Sequence, residues 1–307
     1  FDIGSNDGTL LRTYEVPGLI TVGVEPASNL IEEGRVGLTH CIHDFWNYES
    51  YHKEVGTQAK VITALGMFYD MEDPNQFISD AAKALTEGGV FIAQLMCLKN
   101  MMDTNDVGNI CHEHLEFYSF HSLEYLFEHN GLEVFDVEIN NVNGASYRLF
   151  ARKKGADVTP AEGANERIAR VRQDEEGLDD KKVHLEFFER LETNKRKCVA
   201  FIKREVAKGK KVWVYGASTK GNVILQYYGL DYTLIEAAAE RSPAKWGKYT
   251  VGSMIPCVSE EEARQAQPDY FLMLPYAFFD EFYEREHEWR EKGGKFIVPL
   301  PEFKVVS

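Results

Sequence analysis

The sequence predicts an α/β protein in two parts: a parallel sheet that ends in an antiparallel hairpin, then a helical connector and a second, smaller α/β unit. Three observations carry this reading. Short apolar runs alternate with helix-period patterns through the first half, two strand-like runs stand back to back at 132–140 and 146–153, and the apolar–helical alternation resumes at Lys211. At 307 residues the chain is too long for one ordinary domain and suits two. The expected boundaries are 1–155, a connector at 156–209, and 210–307.

Taken in order, Phe1-Asp2-Ile3 is the end of a strand, followed by a glycine turn and a helix from about Thr9. A second strand runs from Leu19 to Val24 and ends at Glu25-Pro26, after which Ser28 is placed to cap a helix. Lys60 to Ala64 is a strand, and Ser79 to Leu85 a helix stopped by Gly88-Gly89. Val90 to Met96 is apolar enough to be a central strand. Ser119 to His129 is a helix closed by Asn130-Gly131, and a Gly-containing turn joins the hairpin strands. A parallel sheet closed by such a hairpin is the layout of class I methyltransferases, whereas dinucleotide dehydrogenases continue in parallel. Between 155 and 209, Ile168, Val171, Val183, Phe187, Leu191, Cys198 and Ile202 recur at helical spacing on a charged background, as a long amphipathic connector would. In the last part, strands are expected at Val212–Tyr215, Tyr232–Ile235, Tyr270–Leu274 and Lys295–Val298, with a turn at Gly216–Gly221 and a helix at Asn222–Tyr228.

Composition narrows the function. A net charge of −15 opposes a nucleic-acid partner, because binding a polyanion requires a basic face. No apolar run is long enough for a membrane span. The five cysteines, Cys41, Cys97, Cys111, Cys198 and Cys257, are scattered and form no CxxC pair, which fits reduced thiols in a cytoplasmic enzyme and gives no structural zinc site. The chain opens at Phe1, almost inside a motif, and we read it as having lost its natural N-terminus.

That motif is Asp2-Ile3-Gly4-Ser5-Asn6-Asp7-Gly8, between a strand end and a helix. Glycines let backbone approach a ligand, but carboxylates in the loop would repel a diphosphate. They suit a cation, such as the sulfonium and amino groups of S-adenosylmethionine. Glu25, at the second strand end, stands where an acid accepts ribose hydroxyls. Pro26, Asp44 and Phe45 follow as adenosine contacts, with Ala64 and Leu65 at the end of the next strand.

The catalytic candidate is Cys111-His112-Glu113-His114, in the loop after the strand ending at Met96. Imidazole titrates near neutrality, so His114 is the candidate general base, with Glu113 to orient it. A metal-dependent hydrolase or isomerase using His112 and His114, with Cys111 or His121 as further ligands, is the competing enzyme class. A non-catalytic S-adenosylmethionine-binding scaffold is the non-enzymatic alternative.

The stretches DIGSNDGTLL, GVEPASNL, ICHEHLEFYSFHSLEYLFEHNGLEVFDVE, NGASYR, VYGASTKGN and GGKFIVPLPEF resemble those of sugar C-methyltransferases, in the family's order across nearly the whole chain. The resemblance implies methylation at carbon 3 of a nucleotide-linked 4-keto sugar, with His114 as base, Glu113 as its neighbour, and an enolate stabilised by the keto group. It also implies an N-terminal zinc-binding domain that this chain lacks. The chain departs from the family's usual pattern at Cys111, Asp70 and Asn143-Gly144-Ala145-Ser146-Tyr147-Arg148. Tyr69, Asp70, Cys111, His112, Asn143, Ser146 and Arg148 are therefore the expected sugar contacts. Tyr215, Ser218, Lys220 and Asn222, around the second glycine turn, are the expected nucleotide contacts. A second Rossmann-like unit also raises NAD, but Ile235-Glu236 in an Ala-rich stretch places no convincing ribose acid.

Overall fold

A computed structural model describes residues 1–307, except the side chain of Asn143. The chain divides into two compact units: residues 1–99 with 115–178, and residues 100–114 with 179–307. The segment that carries Cys111 to His114 thus belongs with the second unit.

In the first unit, β1 (Asp2–Ile3), α1 (Thr9–Arg12), β2 (Val22–Val24), α2 (Ile31–Gly34), β3 (His40–Ile42), α3 (Tyr48–Val55), β4 (Ala59–Leu65), α4 (Pro74–Ala84) and β5 (Leu85–Met96) alternate along the chain. After α5 (Leu98–Asp103), which runs across the boundary, come α6 (Phe120–His129), β6 (Leu132–Asn140), β7 (Ser146–Lys153) and α7 (Ala164–Asp174). The seven strands lie in the order β3-β2-β1-β4-β5-β7-β6. β1 to β5 are parallel, and β7 joins β5 and β6 antiparallel. This is the class I methyltransferase sheet, and the expected hairpin is present at its expected bounds. Its core is dense in large apolar groups: Ile62, Phe68, Phe91, Phe120, Phe127 and Tyr147 are fully buried. Each such side chain contributes about 1.5–3 kcal/mol of burial free energy.

Several expectations shift. α4 starts at Pro74, not Ser79, because Asp73 caps it: its Oδ1 accepts the Gln76 amide at 2.9 Å, and Pro74 loses no hydrogen bond at the first position. Gly88-Gly89 do not stop that helix. They lie inside β5, where pairing with β4 slips from Ala59↔Leu85 to Val61↔Val90. A Cβ on Gly89 would stand 2.7 Å from the Leu85 side chain, so glycine lets the strand fold back there. Ser28 caps nothing: Leu30 is the N-cap of α2, and the Ser28 hydroxyl pairs with His43 at 3.3 Å. β2 is shorter than expected, since Leu19 closes a turn onto Val16.

The second unit contains α8 (Lys181–Ala207), β8 (Val212–Tyr215), α9 (Thr219–Tyr228), β9 (Ala238–Glu240), β10 (Cys257–Ser259), α10 (Glu260–Ala266), β11 (Tyr270–Met273), α11 (Phe279–Arg285), α12 (His287–Glu291), β12 (Lys295–Val298) and β13 (Lys304–Val306). Its strand order is β10-β9-β8-β11-β12-β13, the last antiparallel. Both sheets therefore run third, second, first, fourth, fifth. The strand expected at Tyr232–Ile235 is absent, and Ala238-Ala239-Glu240 takes its place, fully buried. Alanine favours helix, which hid this strand in the sequence. The 156–209 segment divides too: α7 falls in the first unit and α8 in the second.

Candidate active site

In the first unit, the expected cofactor residues gather at the carboxyl ends of β1 to β4, where open parallel sheets bind ligands. Gly4, Asn6 and Gly8 all have positive φ, at 70°, 52° and 81°. A Cβ on Gly4 would meet Met67 Cγ at 2.8 Å, so this turn closes tightly only with glycine. Glu25, 8% exposed, holds the loop to β2: its two carboxylate oxygens accept the amides of Asn6 and Ala27, each at 2.9 Å. Every carboxylate oxygen has a second lone pair, which leaves Glu25 acceptor capacity for hydroxyls.

The other members divide by role. Asp7 is spent locally; its Oδ1 accepts the Thr9 amide at 2.9 Å, and hydrogen bonding from Thr9 holds its carboxyl below the usual range. Ser5 is buried with its hydroxyl against Gly23, so only its backbone lines the loop. Pro26 is half-buried and gives its carbonyl to His43 at 3.2 Å. Asp44 accepts from Ser50 Oγ at 2.6 Å and Asn47 Nδ2 at 3.1 Å, and these bonds lower its pKa. Beside it the Phe45 ring is 74% exposed, a flat apolar face at the end of β3. Ala64 is buried and Leu65 half-buried at the end of β4.

Asp2 is the electrostatic oddity. It is buried, accepts from Thr63 Oγ1 at 2.5 Å, and burial pushes its pKa up to about 6, against the Thr63 hydrogen bond and with a smaller push from Glu25. A folded pKa above the unfolded one means that stability is greatest below the unfolded value and falls as pH rises towards the folded one. The expected result is that the chain loses up to about 3 kcal/mol relative to Asp2→Asn between roughly pH 4 and pH 6. Urea titrations of both proteins across that window check it; parallel pH profiles would remove Asp2 as the cause. A cation beside Asp2 relieves the same penalty, so the loop's chemistry fits a positively charged ligand.

Of the expected sugar contacts, Tyr69 is buried with its hydroxyl on the Gly66 carbonyl at 2.9 Å, and its own carbonyl accepts the amides of Leu115 and Glu116. Asp70 is half-buried in the same turn. Ser146 is buried and bonded to the Val142 carbonyl at 2.9 Å. Arg148 lies between Gln94 and Glu138, 3.3 Å from each. The side chain of Asn143 lies outside the described residues.

In the second unit, Nδ1 of His114 lies 2.8 Å from the Asn109 carbonyl oxygen. A carbonyl only accepts, so Nδ1 carries a proton, and in the neutral form of the ring Nε2 is the basic nitrogen. The orienting group is thus a backbone carbonyl, not Glu113 as expected. Glu113 is exposed and stands 4.0 Å from His112, which is exposed as well. Cys111 is half-buried. Among the described residues, no three His, Cys, Asp or Glu side chains converge as metal ligands would.

Around the second glycine turn, Tyr215 proves to be core. It is 2% exposed, its hydroxyl donates to Glu286 at 2.8 Å, and its ring packs on Phe271 and Phe282, so it is closed to ligands. Ser218 caps α9 through the Gly221 amide at 3.1 Å. Lys220 pairs with Asp106 at 3.4 Å, and Asn222 is half-buried in the first turn of α9. Glu240, in an alanine-rich stretch, carries no motif in the sequence. At the end of β9 it accepts the amides of Ala217 at 2.9 Å and Ser242 at 3.0 Å, as Glu25 does for its own loop. Burial would raise Glu240, but these amides and Lys245 outweigh it and hold its carboxyl low.

An apolar recess of about 460 Å³, lined by Phe1, Leu11, Val16, Leu19, Ile20 and Val61, opens at the amino ends of β1 and β4. It is on the opposite edge from the glycine loop.

Comparison with known proteins decides the family. Residues 141–301 match the C-methyltransferase C-terminal domain, and residues 1–137 match a methyltransferase domain. The C-methyltransferase NovU of Streptomyces niveus is 32% identical over 309 residues, covering all of this chain and 73% of its own. This chain belongs to the C-methyltransferase family. Solved S-adenosylmethionine-dependent methyltransferases also resemble half of this C-methyltransferase. One from Clostridium acetobutylicum is 12% identical, with 50% of this chain and 83% of that one covered and a TM-score of 0.39. Another, from Thermotoga maritima and described as a possible histamine N-methyltransferase, is 17% identical, with 50% and 80% covered and a TM-score of 0.38. The enzyme is an S-adenosylmethionine-dependent C-methyltransferase. No described helix is long and apolar enough to cross a membrane.

Proposed function

We propose that this C-methyltransferase methylates a carbon of a nucleotide-linked keto-sugar, with His114 as the general base. The observation that carries the reading is the hydrogen bond from His114 Nδ1 to the Asn109 carbonyl, which aims a basic Nε2 away from the backbone that holds it. A carbon next to a ketone is acidic enough for imidazole to deprotonate, because the negative charge moves to the carbonyl oxygen as an enolate. Nε2 takes that proton and the electron pair stays on the sugar as the nucleophile. S-adenosylmethionine, when bound, supplies the electrophilic methyl group. Glu25 is assigned to its ribose, Phe45 to its adenine face, and Asp2 to its cationic end. None of the five cysteines is joined in a disulfide among the described residues, which accords with a cytoplasmic setting.

The test is mass spectrometry after incubation with S-adenosylmethionine and a panel of nucleotide-linked 4-keto sugars. Gain of one methyl on carbon 3 is expected, together with exchange of that carbon's hydrogen in D₂O when the methyl donor is withheld. Methylation at oxygen or nitrogen, or methylation without any base-dependent exchange, would overturn the enolate reading.

A further inference from the structure

The second unit repeats the first unit's device of a strand-end carboxylate that clamps a glycine turn, but an anion of the chain itself already sits beside its helix. The carboxylate of Asp106, 6% exposed, lies 3.4 Å from Lys220 Nζ in the first turn of α9 and accepts the Tyr276 hydroxyl. Its Oδ2 also accepts Asn109 Nδ2 at 2.9 Å. Asn109, 2% exposed, then gives its carbonyl to His114 Nδ1 at 2.8 Å and to the Cys111 amide at 3.0 Å. Gly108 makes the fit close: a Cβ there would stand 3.0 Å from Lys220 Cβ and 3.2 Å from the Lys220 carbonyl.

A helix N-terminus with a lysine is a place for a phosphate. Here Asp106 supplies the negative charge, and bringing a diphosphate to Lys220 would place a second anion beside a buried carboxylate. We propose that the Gly216–Gly221 turn and α9 anchor the segment bearing His114, and that Asp106, Asn109 and Lys220 are positioning residues that set the His114 tautomer. This rests on His114 as the base, but its first readout does not. It also replaces the expectation that Lys220 holds the substrate's phosphates.

The test uses the full chain with ¹⁵N-labelled histidine and the variants Asp106→Asn, Lys220→Met and Tyr276→Phe. Wild-type His114 is expected as the Nδ1–H tautomer. Each folded variant should shift the tautomer ratio towards Nε2–H, by up to about tenfold where the Asn109 carbonyl is released. Lys220→Met should lower kcat about 10–100-fold with KM nearly unchanged, as misplacement of a catalytic group does. Affinity for uridine diphosphate, measured by calorimetry, should not change in that variant. An unchanged tautomer in the folded variants overturns the proposal. So does a Lys220→Met enzyme with raised KM, intact kcat and weakened uridine diphosphate binding, since that lysine would then be a phosphate ligand. If the tautomer shifts but His114→Asn leaves turnover intact, the anchoring stands and the base assignment fails.

Discussion

Replacing His114 by Asn is expected to lower turnover by about 10²–10⁴-fold, the usual contribution of a general base, while S-adenosylhomocysteine affinity stays as in the wild type. Asparagine keeps a donor for the Asn109 carbonyl and removes the basic nitrogen, so the loss reports proton transfer more than local collapse. Glu113→Gln is the control. An exposed carboxylate 4.0 Å from His112 has no hold on the His114 ring, so this variant should remain close to wild type. Single-turnover kinetics with mass-spectrometric detection separates the two. A His114→Asn enzyme that methylates at the wild-type rate would rule out the base role and move the search to Tyr69, Asp70 and His112.

Loss of Glu25 should act through binding instead of chemistry, with a smaller effect. Each of its oxygens satisfies a backbone amide, those of Asn6 and Ala27. Glu25→Ala therefore leaves two amides without their acceptor at the same time as it removes the charged acceptor proposed for ribose. Cofactor affinity should fall by about 1–3 kcal/mol, roughly 5- to 150-fold. Glu25→Gln makes the sharper comparison. Its amide nitrogen must face one of two amide N–H groups, so it should resemble Glu25→Ala; a contact to ribose alone would let glutamine rescue much of the affinity. Calorimetry with S-adenosylhomocysteine on folded protein decides. An unchanged Kd in either variant would remove Glu25 from the cofactor site.

Much of this was legible in the sequence because its local signals agree. The hairpin at 132–153 is two runs of strand-forming residues around a glycine turn, and the acidic glycine loop and Glu25 meet as their spacing required. What stayed hidden was hidden for physical reasons. β3 is only His40-Cys41-Ile42, too short to show a period. β9 is written in alanines, and with it Glu240 was lost. Spacing within Cys111–His114 suggested that Glu113 serves His114, but a bend in the chain turned the imidazole onto a carbonyl five residues back. A backbone acceptor leaves no mark on residue type, so no reading of side chains finds it. Tyr215 and Asp7 show the converse: polar groups beside a ligand-type loop that are consumed by the fold itself.

Residues 100–114 leave the first unit, join the second, and hand the chain back before α6. The boundary between the matched family regions, near residue 140, coincides with neither crossing. A gene cut or recombined at one point therefore cannot separate the two units as intact modules. A product ending at Leu178 would keep the glycine loop and Glu25 but strand His114 without Asp106's partners Lys220 and Tyr276. The glycine loop and the His114 segment thus belong to units that interleave along the chain, and no single cut leaves both units whole.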